Sequence, residues 1–303
     1  MFTPETTENL DVNQKDSKLT KKLFDWMLYL NLPMVYGILA YAIFLSLTEN
    51  SITKFIGIIL TTGIVLVTNG INVAHELGHR PTWERYLGKI LLIPSFYQHF
   101  YIEHNFGHHL KVGTPEDPAT SKYNQTVYQF WFRSTLEQYI SAWKTQLKLL
   151  KDEKKKFVSF KNDMMFYTIT LITYVSIIYS SFGTAALILT LSAGTLSFLL
   201  LETINYIEHY GLVRVKKDNG RYERVTPIHS WNSNHTLGRI VLYELTRHSD
   251  HHHRSTKKYQ ILDHHDNSPQ LPYGYPTSVP LTLIPPIWFY IMNKRVPREM
   301  IPN

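Results

Sequence analysis

Cysteine is absent from the 303 residues. That excludes disulfides, thiolate zinc sites, iron–sulfur clusters and cysteine-ligated haem. Any redox chemistry here must draw its electrons from another protein. Charge is missing over long stretches. Trp26 to Thr48 has no charged residue, nor has Phe55 to His75, and the third such run is Met164 to Leu201. That last run is about twice the ~20 residues a spanning helix needs. Gly183 lies midway in it, inside SSFGT, where a tight turn divides it. There is no internal repeat, no low-complexity tract and no pattern that calls for a sizeable β-sheet.

These runs predict an all-α chain, an integral-membrane helical bundle of about four transmembrane helices in two hairpins with a cytoplasmic helical cap. A mobile polar segment is expected over 1–20, then a single membrane domain over 21–303. Within it come a first hairpin at 23–74, a cytoplasmic stretch at 75–163, a second hairpin at 164–204 and a second cytoplasmic stretch at 205–303. LGKILLIPSFYQHF (87–100) and LTLIPPIWFYIM (281–292) are apolar but too short to cross. The first span is too long, and lacks the small-residue pattern, for a cleavable signal peptide. Lys21 and Lys22 precede the first span and KLLKDEKKKFVSFK (148–161) precedes the third, whereas the loops at 49–54 and 183–184 hold one lysine between them. Basic residues stay inside, so both termini and the large polar segments face the cytoplasm. The formal charge of +7 follows from that bias and needs no nucleic acid; it also suits docking of an acidic partner.

The 15 histidines are clustered, in HELGH (75–79), HNFGHH (104–109), EHYG (208–211) and HSDHHH (248–253). Residues four apart on a helix differ by about 40° in azimuth, so His75 and His79 point one way, and His104 and His108 repeat that spacing. His108 and His109, like His251 and His252, are about 100° apart, so one of each pair can face one metal and its neighbour a second. His75, His79, His104, His108, His109, His209, His248, His251 and His252 make nine candidate ligands, more than one metal uses. Neutral imidazoles without thiolates suit iron, zinc, copper or nickel. A lone histidine near a helix end is ordinarily a satisfied polar residue, and a histidine run can be a loose surface trap; repeated ligand spacing at every membrane exit argues against both. His253 breaks the pattern and reads as a bystander. His99, His229, His235, His264 and His265 lack the spacing.

Two polar stripes, Asn72–His75–His79 and Glu202–Asn205–His209, run along the exits of the second and fourth spans. They mark either a site or helix–helix hydrogen bonding. Glu76, Glu103, Glu208 and Asp250 sit beside ligands and are expected to accept the far ring N–H of the imidazoles. Glu116 and Asp117, in TPEDP, are weaker candidates. HELGH has the H-E-x-x-H spacing of a zinc protease with Glu76 as general base, but that chemistry leaves seven histidines unused.

HELGHR (75–80), EHNFGHH (103–109), NYIEHYGL (205–212) and LTRHSDHHH (245–253) together resemble the integral-membrane alkane 1-monooxygenases. The histidine boxes alone point only to the wider superfamily of membrane di-iron desaturases and hydroxylases; NYIEHYGL is the discriminating piece. The likeness extends through TPEDPAT, SWNSNH and the KYQIL, PQLPYGY and PLTLIPPIW stretches, from about residue 20 onward. It implies a non-haem centre of two iron ions held by the nine histidines. It also implies O2 and two electrons spent on hydroxylating the terminal methyl of an n-alkane, with rubredoxin and its reductase as electron source and the cytoplasmic membrane as location. Typical members carry about two more spans ahead of the matched region. Arg80 stands where lysine is common, and Thr246 and His253 depart from the usual last box. The alternatives are a related oxygenase acting on fatty-acyl, alkyl-aromatic or terpenoid substrates, a desaturase, a membrane zinc protease, and a non-catalytic metal-binding protein.

Overall fold

The computed structural model describes residues 4–81 and 83–301. Its regular structure is helical, and β pairing among the described residues is confined to three isolated bridges. The helices that position the site are α1 (Val12–Thr20), α2 (Leu23–Thr48), α3 (Ile52–Gly78), α4 (Glu84–Leu91), α5 (Val127–Asp152), α6 (Asp163–His209) and α7 (His248–His253). α2, α3 and α6 are long and apolar enough to cross a membrane. The 87–100 stretch forms only the short α4 and a loop, and 281–292 ends in the eight-residue helix Pro285–Met292.

The 47 residues of α6 would extend about 70 Å if straight, more than twice a hydrocarbon core of about 30 Å. The helix breaks at Gly183, with φ 77° and ψ −167°, a conformation open essentially to glycine alone. Phe96 then touches both halves. Its ring meets Tyr174 at 6.1 Å, and a Cβ on Gly194 would collide with that same ring and with the Pro94 carbonyl. The halves therefore fold back on each other, and α2, α3 and α6 are the three helices with the length and composition of spans.

The chain divides into two compact units, each taken in turn. One holds Leu23–Asn105 and Tyr139–Leu201. Its apolar core joins Leu39, Ala42 and Ile43 of α2 to Ile178, Ala186 and Leu189 of α6, with Phe55, Ile58 and Ile59 of α3 packed against them. Gly63 lets α3 approach α6 closely, since a Cβ there would stand 2.6 Å from Leu196. Asn69 donates to Asn31 Oδ1 at 2.8 Å, satisfying two polar side chains where water is scarce.

The other unit holds Met1–Lys22, Phe106–Gln138 and Glu202–Asn303. Its core is aromatic, built on Phe130, Tyr206, Tyr210, Trp231 and Trp288. Trp231 Nε1 donates to the Tyr210 carbonyl at 2.9 Å, and the Trp231 amide donates to the Glu208 carbonyl at 2.8 Å. Gly211, with φ 70°, ends α6 where a Cβ would press on Val296 at 3.0 Å. Here the chain lead differs from expectation. Residues 12–20 form α1 behind an Asp11–Gln14 capping box, and the segment before it is tied down. Arg247 donates to the carbonyls of Thr6 and Glu8, Asn9 bonds His264 in both directions, and Lys15 pairs with Asp263 at 2.8 Å. Polarity reads as mobility in the sequence because those partners lie about 240 residues away.

Candidate metal centre

Each unit gathers histidines. In the span-bearing unit α3 opens into a π-helical turn over Leu66–Ile71 just before Asn72–Gly78, the kind of local widening that recurs at functional sites. His75 and His79 leave the last turns on one side, their rings 5.3 Å apart. His104 joins them, its Nε2 3.2 Å from His79 Nε2 and its ring 4.2 Å from that of His75. Phe100 stacks on His104 at 4.7 Å. Burial, then the neighbouring Arg80 charge, lowers His79 to about 4, so its ring is neutral and can offer a lone pair at neutral pH.

In the other unit His108, His209, His248 and His252 are all buried, and each offers a ring nitrogen within 4.8 Å of the others. His108 Nε2 stands 3.2 Å from His252 Nε2, and His248 Nε2 3.3 Å from His209 Nε2. A carboxylate only accepts, so the 2.9 Å contact of His108 Nδ1 with Asp117 Oδ2 fixes the proton on Nδ1. The Nε2 lone pair therefore points into the cluster. Burial, then repulsion from His248, His109, His108 and His209, holds His252 well below its ordinary value. Four buried ring nitrogens within 4.8 Å of one another, with the lone pair of His108 Nε2 turned inward, are an arrangement that suits a transition metal. The donor set fits a metal on that ground. His109 sits apart from its neighbour, with its ring 5.0 Å from His251. The same His109 ring lies 4.6 Å from His252.

The carboxylates follow expectation less closely. Glu208 does not take a far ring N–H; instead its Oε2 lies 3.2 Å from His248 Nε2, the nitrogen that faces the cluster, while Oε1 accepts from Tyr275 Oη at 2.7 Å. Asp250 reaches past the ligands. It accepts from His265 Nε2 at 2.8 Å, from the Asp263 amide at 2.8 Å and from Lys257. Burial works to raise Asp250, but those donors overcome it and hold the carboxyl below its usual range. Glu76 ion-pairs with Arg80 at 2.9 Å, one turn on. Glu103 is fully buried.

Asp117 does accept a ring N–H in this way. It is 1% exposed and accepts from His108, from Thr120 Oγ1 at 2.6 Å and from the Ala119 amide at 3.2 Å. Burial alone would raise it; the His108 and Thr120 contacts prevail and lower it. The signal was a lone aspartate between two prolines in TPEDP; only folding shows that this turn meets His108. Glu116 in the same turn is exposed.

In the Glu202–Asn205–His209 stripe, His209 lies in the four-ring set and Glu202 joins two helices. Glu202 accepts from Ser134 and Gln138 of α5 and from Asn205 at 3.2 Å. His253 is exposed and outside both sets. His229 binds Thr226 and Glu223, His235 pairs with Glu5 and His264 with Asp266, and His99 packs between Tyr97 and Tyr139.

Span-length helices and clusters of histidines that could hold metal ions are the marks of a membrane metalloprotein. The family model "Fatty acid desaturase" matches residues 50–280. Alkane 1-monooxygenase 2 of Alcanivorax borkumensis is 42% identical over 242 residues, 80% of this chain and 63% of that protein. Alkane 1-monooxygenase of Ectopseudomonas oleovorans is 38% identical over 284 residues, 92% of this chain and 70% of that protein. The hydroxylase component of a xylene/toluene monooxygenase from Pseudomonas putida is 28% identical over 287 residues, 91% of this chain and 75% of its own. The chain belongs to the alkane 1-monooxygenases, within the fatty acid desaturase family. It spans 63 to 65% of the length of the relatives it matches at 40 to 42% identity.

Proposed function

We propose that this chain hydroxylates the terminal methyl of medium- and long-chain n-alkanes to 1-alkanols, with O2 and with electrons from rubredoxin and its reductase. The nine histidines named above hold two iron ions, one of them in the buried four-ring set. Iron so held supplies the oxygen activation. The residues do the rest: Asp117 keeps the proton of His108 on Nδ1, Tyr275 fixes one oxygen of Glu208, and the apolar walls of the spans admit a hydrocarbon from the bilayer. Lysines before the first and third spans support a cytoplasmic centre in the inner membrane, and an acidic electron donor suits that basic face.

The observation that carries this reading is the cage of four buried imidazoles with His108 set by Asp117, in a chain of this family. The test supplies purified protein with rubredoxin, reductase, O2 and octane or hexadecane. The expected result is 1-alkanol and about two irons per chain. Turnover of an acyl chain or of xylene, with none of an alkane, would reassign the substrate. Zinc in place of iron, with no oxygenated product from any of them, would overturn the oxygenase reading.

A further inference from the structure

Between α5 and α6 the chain passes through KKKFVSFK, residues 154–161. Its three apolar side chains are turned outward: Phe157 is 54%, Val158 77% and Phe160 92% exposed. The segment is nonetheless locked. Asn162 is fully buried; its Nδ2 donates to the Phe157 carbonyl at 2.9 Å, and its Oδ1 accepts the Met165 amide at 3.1 Å in the first turn of α6. Gln146 of α5 donates to the Lys161 carbonyl and accepts the Asp163 amide, both at 3.1 Å. Phe157 stacks on Trp143 at 6.0 Å, and Phe160 on Phe166 at 6.0 Å. An exposed apolar tip on a rigid frame marks an interaction surface.

What covers the tip follows from its surroundings. Lys151, Lys154, Lys155, Lys156 and Lys161 are exposed, against two acids, Asp152 and Glu153. None of these lysines makes an ion pair among the described residues. The tip also stands three residues before Asp163, where the span-length helix α6 begins. Aromatic rings beside a span, ringed by unpaired lysines on long flexible stems, match the boundary between acyl chains and headgroup phosphates. We propose that residues 154–161 are a binding site for anionic phospholipid, with Phe160 and Val158 inserted among acyl chains and Lys154, Lys155 and Lys156 on the phosphates. A protein partner would meet the same charge, but continuity with the span favours lipid.

The cysteine-free sequence makes Phe160→Cys a unique attachment point for an environment-sensitive fluorophore. The labelled full chain goes into nanodiscs of phosphatidylcholine in which a minor fraction is brominated phosphatidylglycerol or, in parallel, brominated phosphatidylcholine. Quenching severalfold stronger by the glycerol lipid is expected. Lys154→Ser/Lys155→Ser/Lys156→Ser in the same background abolishes that preference, since each lysine contributes about a fivefold gain in binding near an anionic surface. Equal quenching by both lipids overturns the proposal. So does quenching by aqueous iodide as complete as for free dye, and so does disulfide-linked dimer of the unlabelled Phe160→Cys chain, which would put a second copy on the tip.

Discussion

Asp117 decides how His108 can act. With Nδ1 committed to the carboxylate, the ring has one tautomer and one lone pair, aimed inward. Asp117→Asn keeps the shape and loses the charge. A 10- to 100-fold loss in iron affinity or turnover is expected, read as iron per chain after dialysis against a graded chelator; unchanged retention would demote Asp117 to a turn residue. His104→Ala removes a ring that meets both His75 and His79, so iron falls and turnover ends while membrane insertion is kept. His253→Ala, at an exposed ring outside both sets, leaves turnover near wild type, and a dead variant would mean that the ligands are miscounted. Residue identity made the histidines legible, because ligand spacing recurs along the chain. The carboxylates were not legible in the same way. Sequence adjacency put Asp250 and Glu76 beside ligands; the fold adds Lys257 and His265 as partners of Asp250 and Arg80 as a partner of Glu76.

Among the elements, α6 shows two glycines with different duties. Around Gly183 the space a Cβ would fill is open, with nothing within 4 Å, but the residue holds φ 77°. Gly183→Ala therefore costs only backbone strain, about 1–3 kcal/mol. Gly194 is ordinary helix, but a Cβ there strikes Phe96 and the Pro94 carbonyl. Gly194→Ala costs about 1–3 kcal/mol through overpacking, and Phe96→Leu in the same chain recovers part of it without helping Gly183→Ala. Thermal melts of the four variants in one detergent check this, and rescue of both glycines alike by Phe96→Leu would contradict it. Uncharged length made the spans legible, and Gly183 the turn. The contact with Phe96 was invisible, because it joins the loop after α4 to a helix about 100 residues on.

At the scale of the whole molecule, pH acts through histidines buried without charge. His99, lowered to about 3 by burial, is outside the metal sets. Its ordinary value is about 6.5, so between the two the unfolded chain binds the extra proton. Stability is therefore full above about pH 6.5 and falls with pH by up to ~1.4 kcal/mol per unit, or about 2 kcal/mol by pH 5. His99→Gln removes that share. The drop in melting temperature between pH 7.5 and pH 5 becomes smaller in the variant, and identical drops would refute the assignment. By itself the sequence determined the helical class, the span-length apolar runs, the basic loops and the histidine clusters. Hydrophobic length, charge bias and helical periodicity are local quantities, readable within some twenty residues. Only the tertiary structure decided that His108 is grouped with His209, His248 and His252, that Asp117 sets its proton, that Glu202 ties α5 to α6, and that residues 4–20 are docked. Each of those depends on groups brought together across tens to hundreds of residues, by packing that no window along the chain contains.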